Sequence, residues 1–254
     1  MRTSRPSRAF TLVELLIVVA IIAILVTVLV PSLGRVRRMT QSVLCLSNLR
    51  QFVIAAHNYA RDYNEHYPPA YSFKTNGTLV SYAWDYTSTR DWSTRPPTTR
   101  VRAGLLWSQR DVGEIHQCPS FRGAHNWLDD PHTGYNYNTS YIGHGSGESI
   151  AQSACMGDVK RPAETALFGD GEYASGANKF MRAPLPNPGD AGFSGRYAGT
   201  QGYRHLDKTN VGFCDGHAAS WAERHTTIHP ASDEANIAEG TGFLSPDNSL
   251  YDLE

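Results

Sequence analysis

The spacing of hydrophobic residues changes along this chain, and its most continuous apolar stretch lies within the first 30 residues. Residues 10–30 are apolar except for three polar side chains, Thr11, Glu14 and Thr27. The run is 21 residues long, and a helix needs about 20 residues to cross the hydrocarbon core of a bilayer. The pattern predicts a membrane-spanning helix over residues 10–30.

Helical spacing continues beyond this run, but with apolar residues on one face only. The apolar positions recur every three or four residues, which places them on one side of a helix; they are Cys45, Leu49, Phe52, Ala56, Tyr59 and Tyr63. We expect residues 31–66 to form the amphipathic half of the same helix, with this face packed on a globular domain. Pro68 and Pro69 are expected to end it.

Residues 67–254 carry short strand-like runs separated by turn formers, with a long Pro- and Gly-rich loop over 183–202 and an acidic, turn-rich tail after Glu223. At 254 residues, 41% hydrophobic and 19% charged, the chain can bury one sizeable core beside a membrane anchor. The expected fold is α+β. It has a long N-terminal helix, transmembrane in its first half, packed on an antiparallel sheet with long loops.

Net charge argues against a nucleic-acid partner. The formal charge is −1, and removal of three arginines in residues 1–9 from the 23 basic side chains leaves 20 against 24 acidic ones, a net charge of −4. A nucleic-acid-binding surface would be basic. Charge alone does not orient the span, because Arg35, Arg37 and Arg38 follow it and compete with the three arginines of residues 1–9.

Glu14 is unusual because a carboxylate within a membrane helix costs about 2.5 to 3.5 kcal/mol and usually marks function. One explanation assumes that residues 1–9 are cut off, which leaves a new α-amino group on Phe10. Glu14 would then pair with this group on a neighbouring, axially staggered subunit, and the pair would set the register of assembly. The alternative places Glu14 at headgroup depth near the helix start, where a negative charge favours the helix dipole.

Residues 9–14, Ala-Phe-Thr-Leu-Val-Glu, followed by the apolar run, resemble the class III signal of type IV pilins and type II secretion pseudopilins. The resemblance implies that prepilin peptidase removes residues 1–9 as a leader, cuts between Ala9 and Phe10, and methylates the Phe10 amine. It also implies that Glu14 guides docking of pilin-like subunits. Ala9 departs from the glycine usual in the family. The implied location is the bacterial inner membrane, with the N-terminus cytoplasmic and residues 67–254 periplasmic or extracellular.

A second resemblance involves the body of the chain. His205 is followed by nine residues and then by Asp215 and Gly216, and a Cys-Pro-Ser block begins at Cys118. These features resemble a pilin-like family of unknown function that takes its descriptive name from the H-x9-DG signature. The resemblance marks Cys118, His205, Asp215 and Gly216 as signature residues.

The signature has two physical explanations. Asp-Gly between strand-like runs is typical of a hairpin turn, in which case His205 bonds a nearby backbone group or carboxylate. Alternatively His205, Asp215 and Asp170 converge on a divalent cation such as calcium. The sequence contains neither the His-Glu-x-x-His motif of zinc proteases nor the Asp-x-Asp-x-Asp-Gly motif of calcium-binding loops. Major pseudopilins bind calcium in a C-terminal loop, which Asp247, Asn248 and Asp252 imitate weakly.

Four cysteines allow three complete disulfide pairings if the domain lies in an oxidising compartment. A disulfide to Cys45 would join the helix to the globular domain. The alternative is that Cys45 is a small apolar residue of the packed helix face.

The sequence therefore favours a structural, non-enzymatic, pilin-like subunit without a required cofactor, partnered by prepilin peptidase and other pilin-like subunits. An alternative is a membrane-anchored binding module for polysaccharide or protein ligands. Its platform would come from seven aromatic residues, which otherwise fill the core: Tyr71, Phe73, Tyr82, Trp84, Tyr86, Trp92 and Trp107. A third hypothesis, a metal hydrolase, would draw on His205, Asp170, Asp215, His217, His225 and His229.

Overall fold

The computed structural model describes residues 10–107, 117–124, 134–146, 148–150, 152–173, 176–190, 199–226 and 237–254. The chain divides into two compact units, residues 1–40 and residues 41–254. Both contain part of one continuous helix, α1 (Leu12–Asp62). In the first unit the large apolar side chains of α1 are exposed, from Leu12 to Met39.

Helix α1 ends at Asp62, before the predicted boundary at residue 66 and before Pro68. Asn64 and Glu65 adopt left-handed backbone conformations, with φ of 53° and 63°. The Glu65 amide donates to the Ala60 carbonyl at 2.8 Å, which is the six-to-one bond of a Schellman cap with asparagine in place of the usual glycine. Local capping therefore ends the helix before the prolines are reached.

Four strands form an antiparallel meander in the order β1-β2-β3-β4. They are β1 (Tyr71–Thr75), β2 (Thr78–Ala83), β3 (Tyr86–Asp91) and β4 (Thr98–Ala103). Gly77, with φ of 76°, lies in the tight β1–β2 connection. Successive short connections explain why neighbouring strands in the chain also pair in the sheet.

A second sheet has five strands in the order β10-β9-β6-β5-β7. They are β5 (Asn136–Asn138), β6 (Ala166–Gly169), β7 (Phe180–Met181), β9 (Thr209–Phe213) and β10 (Ala218–Trp221). All of its pairings are antiparallel except β5 with β7. A separate two-stranded pair joins β8 (Gln201–Gly202) to β11 (Thr241–Gly242).

The second half of α1 packs on the five-stranded sheet at Gly212 of β9. A Cβ added to Gly212 would lie 3.0 Å from a Val53 methyl and 3.5 Å from the Leu49 Cβ. Because glycine has no side chain, the helix can approach the strand closely there. The expected α+β arrangement, a long N-terminal helix on antiparallel sheet, is confirmed.

Phe52 is the centre of an aromatic core. Its ring centroid lies 4.9 Å from that of Tyr135, 5.5 Å from Trp107, 5.7 Å from Phe168 and 5.8 Å from Trp84. Edge-on and tilted ring pairs at these separations are favourable beyond the area they bury. The helix face predicted from spacing is thus part of the core of residues 41–254.

The predicted face is buried at Cys45, Leu49, Phe52 and Ala56, as expected. Tyr63 is an exception, since it follows the end of the helix and is 56% exposed. Its ring stacks on that of Tyr59, with centroids 4.0 Å apart. Helical spacing no longer predicts burial after the cap, because the chain is not helical there.

The C-terminal tail contributes to a second, smaller hydrophobic cluster. Tyr251 and Leu244 are buried there with Val211 and Phe213 of β9. The Leu244 amide donates to the Tyr251 hydroxyl oxygen at 2.7 Å, so the buried ring also satisfies a backbone donor. The described part of the tail is therefore packed structure, although its composition predicted only turns.

Candidate functional site

The N-terminal site is organised by a reciprocal hydrogen-bond pair at the start of α1. The Thr11 amide and hydroxyl donate to Glu14 Oε2 at 2.9 and 2.8 Å, and the Glu14 amide donates to Thr11 Oγ1 at 3.3 Å. This is a capping box, in which an N-cap threonine and a glutamate three residues later satisfy otherwise free amides. Within one chain Glu14 therefore has a local partner at the helix start.

Of the two residues at the expected cleavage site, the structure describes only one. Phe10 is 73% exposed, immediately before the helix, whereas Ala9 lies outside the described residues. Among the residues that the structure describes, α1 is the helix that is long and apolar enough to cross a membrane by length and composition. The N-terminal part of this helix exposes a continuous apolar surface, and contact of such a surface with water is unfavourable.

A second site is a buried group of four potential ligand side chains, which we call the buried ligand cluster: Cys45, Cys118, Asp170 and His205. One ligand atom from each residue lies within 4.8 Å of the others, and all four residues are buried. Among the residues that the structure describes, this is the group of histidine, cysteine and acidic side chains suited to share an ion.

Three short contacts define the cluster. The Cys45 thiol lies 3.0 Å from Asp170 Oδ1, His205 Nε2 lies 3.3 Å from Asp170 Oδ2, and Cys118 Sγ lies 3.5 Å from His205 Nε2. The carboxylate is further held by the Asn210 amide, which donates to Oδ2 at 2.8 Å. All four cysteines of the chain are free thiols.

Secondary structure delivers these side chains from four separate segments. Cys45 lies on α1, and Asp170 directly follows β6, where its amide donates to the Asn210 carbonyl of β9. Cys118 precedes a turn that is closed by an amide donating to its carbonyl from three residues later. His205 opens a tight turn whose two central residues both have positive φ, 56° and 61°. Two such residues define a type I′ turn, whose twist suits a strand reversal.

Arg204 supplies a buried positive charge beside the cluster. Its guanidinium lies 3.1 Å from Asp170 Oδ1 and donates to Cys118 Sγ at 3.3 Å. Burial raises the pKa of Asp170, but Arg204 and His205 outweigh it and the net shift is downward. Asp170 is therefore a carboxylate at neutral pH.

The two thiols differ in acidity. The hydrogen bond from Cys45 is the main cause that lowers the pKa of Cys118 to about 5, against the opposing effect of burial. Burial above all raises the pKa of Cys45 well above its usual value. Burial lowers the pKa of His205, but its contacts with Asp170 and Cys118 prevail and raise it to about 9.

The orientation of His205 separates metal binding from nucleophilic catalysis. In a cysteine-histidine-acid triad the thiol and the acid contact opposite nitrogens of the imidazole. Here both Cys118 and Asp170 approach Nε2, while Ser120 Oγ lies 3.4 Å from Nδ1. Donor atoms that converge on one ring nitrogen suit a shared ion, and Cys118 is only 1% exposed, which denies a substrate access.

The structure brings together two of the three metal ligands predicted from sequence, His205 and Asp170. The third, Asp215, lies elsewhere, in the β9–β10 loop, where its carboxylate contacts His217 Nδ1 at 2.6 Å. Two cysteines take its place beside His205 and Asp170. Cys118 is a signature residue and Cys45 belongs to the predicted helix face, but no spacing in the sequence links either residue to an ion.

The Asp-Gly hairpin expected at residues 215–216 is present. The Phe213 amide donates to the His217 carbonyl, and the Gly216 amide donates to the Phe213 carbonyl. These bonds define a three-residue loop, and Gly216 adopts φ of 103° at its end. Such loops follow a type I turn with a bulge residue at positive φ, so only Gly216, not Asp215, needs that conformation.

The other candidate metal residues have separate partners. His217 stacks on Phe213, with centroids 4.4 Å apart, and His225 lies 3.9 Å from Glu223. His229 lies outside the described residues. His217 and His225 therefore do not join the buried ligand cluster, whereas a metal hydrolase built on these histidines would need them there.

The C-terminal residues proposed to imitate a calcium loop also have structural partners. Asp247 accepts bonds from the Ser249 amide and hydroxyl, and Asn248 donates to the Tyr141 hydroxyl at 2.7 Å. A carboxylate oxygen of Asp252 lies 3.6 Å from an Arg161 guanidinium nitrogen. These contacts hold the tail on the domain.

The proposed aromatic platform is divided between core and surface. Trp84, Tyr86 and Trp107 are buried and cannot stack on an external ligand. Phe73 and Trp92 are each 55% exposed, and an arginine guanidinium from β3 covers the Trp92 ring at 4.5 Å. Most of the rings that suggested a binding face are therefore core or covered.

Comparison with known proteins identifies the N-terminal segment. Residues 4–30 match a family model described as the prokaryotic N-terminal methylation motif. No curated protein and no solved structure matches the chain. The motif supports a type IV pilin-like protein of the prepilin type, processed by prepilin peptidase and anchored by its apolar helix, and it indicates a structural protein.

Proposed function

We propose that this protein is a structural subunit that is stacked through its N-terminal helix into a pilus-like filament or a type II secretion pseudopilus. The observation that carries the proposal is the methylation motif at residues 4–30, which coincides with the exposed apolar part of α1. A helix whose apolar side chains are exposed gains most by packing against lipid or against copies of itself.

The proposal places the leader in the cytoplasm and the domain of residues 41–254 on the opposite side of the inner membrane. Prepilin peptidase cuts between Ala9 and Phe10 and leaves a methylated amine on Phe10. The intact mass of the protein from membranes of a host with the peptidase tests this step. Loss of residues 1–9 with gain of one methyl group is expected, and an uncut chain would contradict it.

Glu14 exchanges partners on assembly in this proposal. In the single chain its carboxylate caps the helix through Thr11 at 2.8 Å. In the filament it meets the Phe10 amine of the neighbouring subunit. The two roles can be separated, because glutamine is also accepted at this position of a capping box but carries no charge.

We therefore expect Glu14→Gln to be cleaved and methylated like the wild type but to fail to enter filaments. Loss of ~1.4 kcal/mol per contact already reduces association about tenfold. The measurement is the ratio of subunit in the sheared filament fraction to subunit in membranes. Glu164→Gln, at an exposed glutamate of the domain, is the matched control and should assemble normally.

Normal assembly of Glu14→Gln would contradict the pairing. If Glu14→Ala then failed while Glu14→Gln assembled, helix capping and not charge would be the role of Glu14.

A further inference from the structure

We propose that the buried ligand cluster binds a structural zinc ion that ties helix α1 to the rest of the globular domain. Two thiols, an imidazole and a carboxylate are all ligand types found in zinc sites. The ion would take one ligand each from α1, the end of β6, the turn before β9 and the segment that begins at residue 117. These ligands are Cys45, Asp170, His205 and Cys118. The inference does not depend on filament assembly.

The spacing of the ligand atoms fits a tetrahedral ion. Zinc bonds of about 2.0 to 2.3 Å place tetrahedral ligands about 3.3 to 3.8 Å apart. The contacts His205 Nε2 to Asp170 Oδ2 and Cys118 Sγ to His205 Nε2 are 3.3 and 3.5 Å. The Cys45 contact of 3.0 Å is to the other carboxylate oxygen, Oδ1. One ligand atom from each of the four residues lies within 4.8 Å of the others, so shifts of up to about 1 Å would bring all four to the tetrahedral spacing.

The donor set selects zinc over calcium. Calcium takes six to eight oxygen ligands, and this cluster offers a single carboxylate among sulfur and nitrogen donors. Tetrahedral sites with two sulfur ligands are typical of zinc. At this cluster the proposal thus names zinc rather than calcium, while calcium at the C-terminal residues stays a prediction.

The electrostatics of the bound site balance. Two thiolates and the Asp170 carboxylate carry three negative charges, and the ion together with Arg204 carries three positive ones. A second carboxylate, Glu172, also contacts Arg204, at 3.2 Å, but it is partly exposed to solvent. Arg204 contacts both Asp170 and Cys118, at 3.1 and 3.3 Å. On binding, all four ligand atoms bond the ion through lone pairs, and every proton held by the two thiols and by His205 Nε2 leaves to solvent. A neutral total matters because net charge is costly in a buried site.

The surrounding contacts hold the ligands in orientation, as is usual around metal sites. Ser120 Oγ lies 3.4 Å from His205 Nδ1 and also contacts Gln41 on α1. The Asn210 amide donates to Asp170 Oδ2 at 2.8 Å. With Nδ1 facing Ser120, His205 presents Nε2 to the carboxylate and the Cys118 thiol, which a merely packed histidine would not require.

The first experiment measures the zinc content of the full-length protein, purified untagged in detergent from membranes. About one zinc per chain is expected for the wild type and for Cys155→Ala, whose thiol lies outside the cluster. After dialysis against the same competing chelator, Cys118→Ala should retain much less zinc than the wild type, since even changes in the surrounding shell cost 10- to 100-fold in affinity. Wild-type zinc content in Cys118→Ala would overturn the proposal.

The second experiment uses only the wild type, so that a misfolded variant cannot obscure the result. The chain is stripped with a chelator under reducing conditions, and zinc chloride or calcium chloride is added back. Zinc should raise the melting temperature and calcium should not. Cobalt chloride should give the sulfur-to-metal charge-transfer band of a tetrahedral thiolate site.

Three results would overturn the proposal. They are a stripped chain with an unchanged melting temperature after zinc addition, a cobalt complex without the thiolate band, and a Cys45–Cys118 disulfide found by peptide mass mapping of the protein taken directly from its membranes. The last result would mean that oxidation, rather than a metal, joins these two cysteines.

Discussion

At the scale of single residues, Glu148 is a carboxylate with a fully buried side chain. Its Oε1 lies 2.6 Å from an Arg182 guanidinium nitrogen, and its Oε2 lies 3.2 Å from His144 Nδ1. Burial raises the pKa of Glu148, but the bonds from His144 and Arg182 outweigh it and lower the pKa overall. The folded protein therefore holds Glu148 ionised against the cost of desolvation.

Glu148→Gln is expected to lower the free energy of unfolding by about 3 to 5 kcal/mol, the usual cost of removing one member of a buried ion pair. Urea unfolding at neutral pH measures it. The control is Glu164→Gln, because Glu164 pairs with Arg161 at the surface and is 59% exposed. Surface pairs contribute about 0 to 1 kcal/mol, so equal effects would contradict the prediction.

The same site predicts a pH dependence. Because the pKa of Glu148 is lower in the folded state, its contribution to stability is present above the unfolded value near 4.5 and is lost as pH falls through the folded value. The wild type should therefore lose more stability than Glu148→Gln between neutral and acidic pH. Parallel stability profiles of the two proteins would exclude this role.

At the scale of elements, helix α1 stabilises the domain through one face. Phe52→Ala removes the ring that contacts four other aromatic side chains, and large-to-small changes at buried phenylalanine cost about 3 to 5 kcal/mol. Ile54 lies two residues further along the helix and is 56% exposed, so Ile54→Ala should change stability by no more than about 0.5 kcal/mol. Thermal unfolding of both variants in detergent compares the faces, and equal losses would show that this face does not carry the packing.

The β9–β10 hairpin depends on Gly216 for its backbone conformation and not for space. A Cβ at Gly216 meets no atom within 4 Å, but φ is 103°. Gly216→Ala should therefore destabilise by about 1 kcal/mol or more, through backbone strain alone. Gly157→Ala is the matched control, since Gly157 also has open space and no positive φ. Chemical unfolding should find that variant neutral or slightly stabilised.

At the scale of the whole molecule, the compact unit of residues 41–254 includes the second half of α1. Leu49, Phe52 and Val53 are fully buried in its core. Burial of each such side chain contributes about 1.5 to 3 kcal/mol, and their sum is comparable with the total stability of a domain, about 5 to 15 kcal/mol.

We therefore expect a fragment of residues 41–254 to fold cooperatively in water and a fragment of residues 63–254 to remain unfolded. Circular dichroism and the sharpness of the thermal transition measure the difference. A cooperative transition in the shorter fragment would show that the helix is dispensable for the domain.

Some features of this protein are determined locally, and these could be read from the sequence. The apolar run of residues 10–30, the methylation motif and the buried face at Cys45, Leu49 and Phe52 are of this kind. Helical periodicity indicates directly which side of a helix is buried. The methylation motif is recognised from consecutive residues, without knowledge of the fold. The Asp-Gly hairpin was also predictable, because turn residues act on their own backbone.

Other features were decided only by the tertiary structure. The cap at Asn64 ends the helix before Pro68, and the tail, for which composition predicted only turns, buries Tyr251. Above all, the buried ligand cluster assembles from four distant segments, while Asp215, part of the same signature as His205, does not join it. Spacing along a chain shows which face a residue occupies. Spacing does not show which distant residue will contact that face, because this depends on how the helix and the sheets pack in the core.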